Sequence, residues 1–224
     1  MQTLRGVGAI EAMTSMYPAR LRILDAARAY DDATTTVYGA VVDGQTSVQA
    51  AGISATLDAG CYFALPGPCN IVSDGHTMVV ERFGYRAPAS LGRIEERGRL
   101  VYIDGCSDTI LCSPPRAGDP VLNHLHFPAG TRQSVHLHPS IRLGVVLRGR
   151  GVAFGPGRGK AWEEPLEPGT AFLLSEHEQH AFRTFANESM DIVAFHPDSD
   201  WGPTDAAHPM INRTYLSAPR GEKA

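Results

Sequence analysis

Three histidines in the second half of this chain have the residue type and spacing of a metal site. His136 and His138 stand two apart in GTRQSVHLHPSIRLGVVLRG, residues 130–149. On a strand, residues two apart project from the same face, so both imidazoles reach toward one point. A third, His180, closes PLEPGTAFLLSEHEQH, residues 165–180, which reads as an apolar strand followed by a polar turn. Brought in from a neighbouring strand, it completes one face of a metal's coordination sphere and leaves other positions open for chemistry. Four residues after His138 comes Arg142, which stays protonated and cannot ligate a metal.

Other polar residues near this stretch are candidates for acid–base or binding work. Gln133 precedes His136 by three positions and is placed to donate to a bound molecule or to dioxygen. His124 and His126, in VLNHLHFPAG, share one face of the strand that enters the same hairpin. If that face points inward, His126 approaches the metal as acid, base or extra ligand. If Leu125 and Phe127 take the core instead, both histidines face away. No G-x-S-x-G elbow and no phosphate-binding G-x-x-x-x-G-K-[ST] occurs, and the glycine-rich GPGRGK, residues 155–160, has no helix after it.

The elements that must carry these residues are short. Twenty-three glycines and sixteen prolines cut the chain into brief apolar runs such as TVYGAVVDG, HTMVVERF, LGVVLRG and MDIVAFHP. Runs of this kind between turn signals mark an all-β sandwich or barrel. One segment reads as a helix: Ala19 to Tyr30, after Pro18, puts Leu21, Leu24 and Ala27/Ala28 on one side.

A faint internal repeat runs through the chain. Tyr38–Gly44 aligns with Leu143–Gly149, and Asp58–Pro66 with Glu167–Ser175, which matches Gly60 to Gly169 and Phe63 to Phe172. Carried through, His136 falls opposite Asp31, His138 opposite Ala33, Arg142 opposite Val37 and His180 opposite Ile71. The first copy thus lacks every candidate ligand.

Composition bounds the function. The chain has 224 residues, 43% hydrophobic and 20% charged, as expected of an ordinary soluble globular protein. A net charge of −4 provides no basic footprint for nucleic acid. No apolar run approaches the roughly 18 to 20 residues that span a bilayer, and the first twenty residues lack the pattern of a signal peptide. Cys61, Cys69, Cys106 and Cys112 show no C-x-x-C spacing and read as reduced thiols in a cytoplasmic protein. The tail after His196, with Trp201, Pro203, Pro209 and Met210, reads as an arm over a sheet edge or a homodimer partner, with His196 and His208 as arm contacts.

The pattern G-x5-H-x-H, a closing glycine and a later PG strand, turn and single histidine resembles the two motifs of the cupin superfamily. Gly130, His136, His138 and Gly149 carry the first motif, with Arg142 where the family has glutamate; Pro168-Gly169 through His180 carries the second. The resemblance implies two antiparallel jelly rolls in tandem: an N-terminal helical segment (1–29), a degenerate cupin (30–97), a metal-binding cupin (98–197) and a C-terminal arm (198–224). It implies one divalent metal per chain on His136, His138 and His180, with Fe(II) first and Mn, Ni, Zn or Cu as alternatives. The superfamily is functionally broad, so the fold supplies a site and not a reaction. The leading expectation is a dioxygenase acting on a small molecule; the alternatives are a Lewis-acid isomerase, decarboxylase or lyase, and a non-catalytic sensing or structural cupin.

Beside a cation a guanidinium about 6 Å away meets repulsion of a few kcal/mol per unit charge at an effective dielectric near 20. An anion must therefore accompany Arg142. Glu163, Glu164, Glu176 or Glu178 is one source; a substrate carboxylate, enolate or phosphate gripped by the guanidinium fork is the other. A local change of register that turns Arg142 outward is the third arrangement.

Overall fold

The computed structural model describes residues 1–116, 118–157 and 159–199, and these form strands with a single 3-10 turn at Ile103–Gly105. The first eleven strands are β1 (Gln2–Leu4), β2 (Gly8–Ala12), β3 (Ala19–Leu24), β4 (Ala27–Tyr30), β5 (Thr36–Val41), β6 (Gln45–Ala50), β7 (Ile53–Asp58), β8 (Cys61–Pro66), β9 (Cys69–Ser73), β10 (Thr77–Arg82) and β11 (Ser90–Arg93). Nine more follow: β12 (Leu100–Val101), β13 (Ser107–Cys112), β14 (Val121–Phe127), β15 (Arg142–Gly149), β16 (Gly151–Gly155), β17 (Trp162–Leu166), β18 (Ala171–Leu174), β19 (Ala181–Thr184) and β20 (Met190–His196). Their pairings are antiparallel.

Two pairs of sheets result. The first joins a six-stranded sheet, β11-β8-β5-β10-β3-β2, to a four-stranded one, β4-β9-β6-β7. The second joins a seven-stranded sheet, β1-β18-β15-β20-β14-β13-β12, to a three-stranded one, β17-β16-β19. Each large sheet buries both faces, which is why β5, β10 and β20 read as unbroken apolar runs and not as alternations. Inside the first barrel lie Val37, Val48, Phe63, Leu65 and Ile71; inside the second, Phe127, Val146, Phe172, Phe182 and Ile192. A third apolar layer, with Leu21, Tyr38, Met78, Leu143, Val193 and Phe195, glues the large sheets back to back.

The expected helix from Ala19 to Tyr30 is absent. Those residues form β3 and β4, with a bend at Asp25-Ala26. Ala19, Leu21 and Ile23 are buried while Arg20 and Arg22 lie at the surface side, where they pair with Glu11 and Glu81. The period is therefore two, not 3.6, and the flanking sheet overrides the local spacing of leucine and alanine. Residues 2–4 of the same region belong to the second barrel's sheet, through β1 on β18.

The internal repeat coincides with repeated topology. Gly39 pairs with Phe63 across β5 and β8, and Gly144 pairs with Phe172 across β15 and β18. In each case the ring lies over the glycine: an added Cβ would sit 2.2 Å from Phe63 Cζ or 2.6 Å from Phe172 Cζ. Both strand pairs continue into the same neighbour order, β10-β3-β2 and β20-β14-β13. Ladder register corrects two details of the sequence alignment. The antiparallel pair Tyr30↔Cys69 holds in the first barrel the place of His136↔His180 in the second. His136 therefore corresponds to Tyr30, one residue before Asp31, and His180 to Cys69, two residues before Ile71, because the intervening loops differ in length. Tyr30, Val37 and Cys69 are all buried in the first barrel's core, which has no imidazole in these positions.

Candidate metal centre

The second barrel's interior gathers the three histidines. His136 and His180 face each other in an isolated antiparallel bridge, with N–H to O distances of 2.9 Å in both directions. His138 follows, and its carbonyl accepts a hydrogen bond from the His177 N–H at 2.8 Å, which ties the turn before His180 to the His136–His138 segment. His177 takes a positive φ of 56° there and its side chain is exposed. Ring centroids lie 4.5 Å apart for His136 and His180, and 5.2 Å for each of the other two pairs. One ligand nitrogen from each residue lies within 4.8 Å of the others.

Backbone carbonyls set the tautomers. Nδ1 of His136 lies 2.9 Å from the Ser134 carbonyl, and Nδ1 of His180 lies 2.8 Å from the Glu178 carbonyl. A carbonyl only accepts, so each Nδ1 carries the proton and each Nε2 is the nitrogen with a lone pair to donate to a metal. Ser134 is itself fixed by Asp104, which accepts from its N–H at 2.6 Å and from its hydroxyl at 3.2 Å. Burial, and then the charge of Arg142 and the neighbouring imidazoles, holds His138 well below the ordinary histidine range. His180 is lowered too, by burial and by His136, against a smaller opposing effect of its bond to Glu178. Neutral imidazoles in a pocket with three converging nitrogens are the donor set that a first-row divalent ion takes, and on that chemistry the residues fit the group.

Arg142 is 3% exposed and lines the same cavity. Its Nη1 donates to the Ser140 hydroxyl at 2.7 Å and to the carbonyls of Ile141 and Ser140 at 2.9 and 3.1 Å. Among the described residues the carboxylate paired with it is Asp198, 3.9 Å from Nη1, buried, and also bonded by the Ser140 hydroxyl. None of the four glutamates singled out in the sequence has this place. Glu163 pairs with Arg183, Glu164 with Arg5, and Glu178 closes the Ser175 turn, while Glu176 is exposed.

Gln133 also lines the cavity, fastened at both ends of its amide: Oε1 accepts from the Phe182 N–H at 3.3 Å, and Nε2 donates to Cys106 Sγ at 3.6 Å. His126 does not reach the site. Strand alternation puts Leu125 and Phe127 on the cavity wall and turns His124 and His126 to the opposite face of the sheet. There Asp191 Oδ1 accepts from His124 at 2.7 Å and from His126 at 3.0 Å, while Arg148 holds Oδ2 at 3.2 Å. Burial opposes ionisation of Asp191, but these partners outweigh it and hold the carboxyl below the ordinary range. His126 is thus a hydrogen-bond partner of a buried carboxylate on the sheet's far face and not a group of the cavity.

His196 was missed as a site residue. It ends β20, and Met190, Ile192, Ala194 and His196 share that strand's inward face. The alternation in MDIVAFHP carried this signal. Its ring centroid lies 6.3 Å from that of His138, and burial, then Arg142, keeps it well below the ordinary histidine range. Trp201, Pro203, His208, Pro209 and Met210 of the expected arm lie outside the described residues. The four cysteines are unpaired thiols. Among the described residues no helix is long and apolar enough to cross a membrane.

No family model and no curated protein matches the chain. Solved structures do resemble it. A cupin 2 conserved barrel domain protein from Leptotrichia buccalis superposes with a TM-score of 0.62 at 16% identity, over 88% of this chain and 96% of that one. A putative glyoxylate-induced protein from Pseudomonas aeruginosa has a TM-score of 0.65 at 15% identity, over 88% and 82%. A mutant salicylate 1,2-dioxygenase from Pseudoaminobacter salicylatoxidans, in complex with gentisate, has a TM-score of 0.64 at 13% identity, over 95% and 78%.

Proposed function

We propose, for a chain that has the cupin fold and a three-histidine cluster in its second barrel, a metal-dependent enzyme acting on a small anionic or enolisable organic molecule, a dioxygenase-type oxidoreductase. The observation that carries this reading is the convergence of His136, His138 and His180, with the Nδ1 atoms of two of them engaged by backbone carbonyls. When bound, an Fe(II) or similar first-row ion supplies a redox-active centre with open coordination positions. The remaining work belongs to the chain. Arg142, anchored through Nη1, sets a fixed positive charge at the cavity and neutralises the substrate's anionic group. Its position matches a ligand charge better than it matches decay of the site, since all three imidazoles are kept beside it. Leu125, Phe127, Phe172, Phe182 and Ile192 line the cavity with apolar surface, which keeps water from competing with substrate and strengthens every polar contact inside. The likeness to a salicylate 1,2-dioxygenase supports oxygen chemistry among the reactions the fold hosts.

The test is metal content followed by oxygen consumption. Protein purified without oxygen and loaded with Fe(II) should hold close to one ion per chain, and His136→Ala should hold little. Oxygen uptake is then followed with diketones, thiols and phenolic acids. A folded wild-type protein that takes up no metal overturns the reading. Turnover of any of these compounds without oxygen uptake overturns the oxygenase assignment and moves the chain to Lewis-acid chemistry.

A further inference from the structure

His196 is 2% exposed, lines the cavity, and its Nδ1 has no hydrogen-bond partner among the described residues. A buried polar nitrogen left unpaired is costly, and a bound ligand that supplies the missing partner removes that cost. The position is not one of the three metal-facing nitrogens: the cluster within 4.8 Å contains His136, His138 and His180 without it. Its neighbour in charge is Arg142, whose field acts on the ring. The rest of the lining is largely apolar, so the polar recognition available to a ligand concentrates at this corner and at the three imidazoles.

We infer that His196 is a specificity-determining residue, which with Arg142 binds a carboxylate of the substrate. An imidazole contributes one N–H donor and a guanidinium contributes charge, a pairing that favours a charged carboxylate oxygen over the neutral carbonyl oxygen of an amide. This inference rests on the three-histidine metal reading above.

Cobalt(II)-loaded protein separates the two. Cobalt content measures the metal reading, and the visible absorption of the loaded protein, titrated with glycolate and with its neutral isostere glycolamide, measures the inference. Wild type should bind glycolate at least about tenfold more tightly than glycolamide, the scale of one hydrogen bond to a charged group. His196→Leu should retain its cobalt and lose about tenfold in glycolate affinity, and His196→Gln should recover part of it. Full cobalt with glycolate affinity unchanged in both variants overturns the inference and leaves the metal reading standing. Loss of cobalt in both variants, as in His138→Ala, overturns it as well, because His196 would then be a ligand. A wild-type protein without cobalt overturns the metal reading and the inference with it.

Discussion

At the scale of single residues, the site is a balance of charges settled by burial. Arg142 has Asp198 at 3.9 Å and lines the cavity beside His138 and His180, which burial holds well below the ordinary histidine range, so a guanidinium charge stands at the cavity. Arg142→Gln should therefore weaken binding of anionic ligands by about tenfold or more, while neutral ligands change little; equal losses for both in a calorimetric titration would contradict this role. A second buried group gives a pH prediction. Asp108, on β13 beside Leu125, has one oxygen bonded by Asn123 Nδ2 at 2.5 Å, while its other oxygen and Asn123 Oδ1 have no partner. Burial pushes its carboxyl from 3.8 up to about 7, against the smaller effect of the Asn123 bond. The folded state then binds the proton more tightly than the unfolded one, so this group's contribution is complete below about 3.8 and is lost as pH rises to about 7. Asp108→Asn should remove that loss, and its stability relative to wild type should grow across this window by up to roughly 4 kcal/mol. His138, His180 and His196 act in the opposite sense, costing stability as pH falls below 6.5, and they cancel in the comparison. Denaturant midpoints of both proteins from pH 4.5 to 8 provide the check. The clustering of His136, His138 and His180 was legible from their spacing. Asp198 and the tautomer-setting carbonyls were not, because they depend on where loops return, which no local period encodes.

At the scale of elements, glycine and aromatic packing fix the register of each barrel. Gly39 lies under Phe63, whose ring is fully buried and cannot swing away. Gly39→Ala should cost about 1–3 kcal/mol by overpacking. In a Phe63→Leu background the added methyl should cost less, and a double-mutant cycle on denaturant midpoints measures that coupling. The repeated Gly–Phe pairing was visible in the sequence as a 105- and 109-residue offset, since both partners are large signals. The turn of His180 was placed two residues off in the first copy because an insertion leaves no mark on hydrophobic pattern. The helix expected at Ala19–Tyr30 failed for a related reason. Residues 19, 21, 23 and 24 satisfy either period over so short a run, and only pairing with β2 and β10 decides between them. His126 shows the same dependence: its strand was legible, but which face turned inward was decided by apolar Leu125 and Phe127.

At the scale of the molecule, the two barrels share a core. Tyr38 of the first and Phe195 of the second meet with ring centroids 4.9 Å apart, each at most 1% exposed. Phe195→Ala should cost about 3–5 kcal/mol, and because this layer belongs to both barrels, hydrogen exchange should rise in β3 and β10 as well as in β14 and β15. Protection lost in the second barrel alone would show that the barrels unfold independently. Two jelly rolls in tandem were legible as a sequence repeat, but their back-to-back joining was not, since apolar residues on both faces of β5 and β20 say only that each face is covered. A three-residue strand also joins the halves. Residues 2–4 cross to the far barrel and pair with residues 171–173. A strand made at the start of this stretch thus finds its partner only after some 170 residues have followed. During synthesis the second barrel's sheet cannot acquire its edge until late, and the early segment must wait with its backbone unpaired. Such long-range pairing slows folding and leaves a strand edge exposed in the interval.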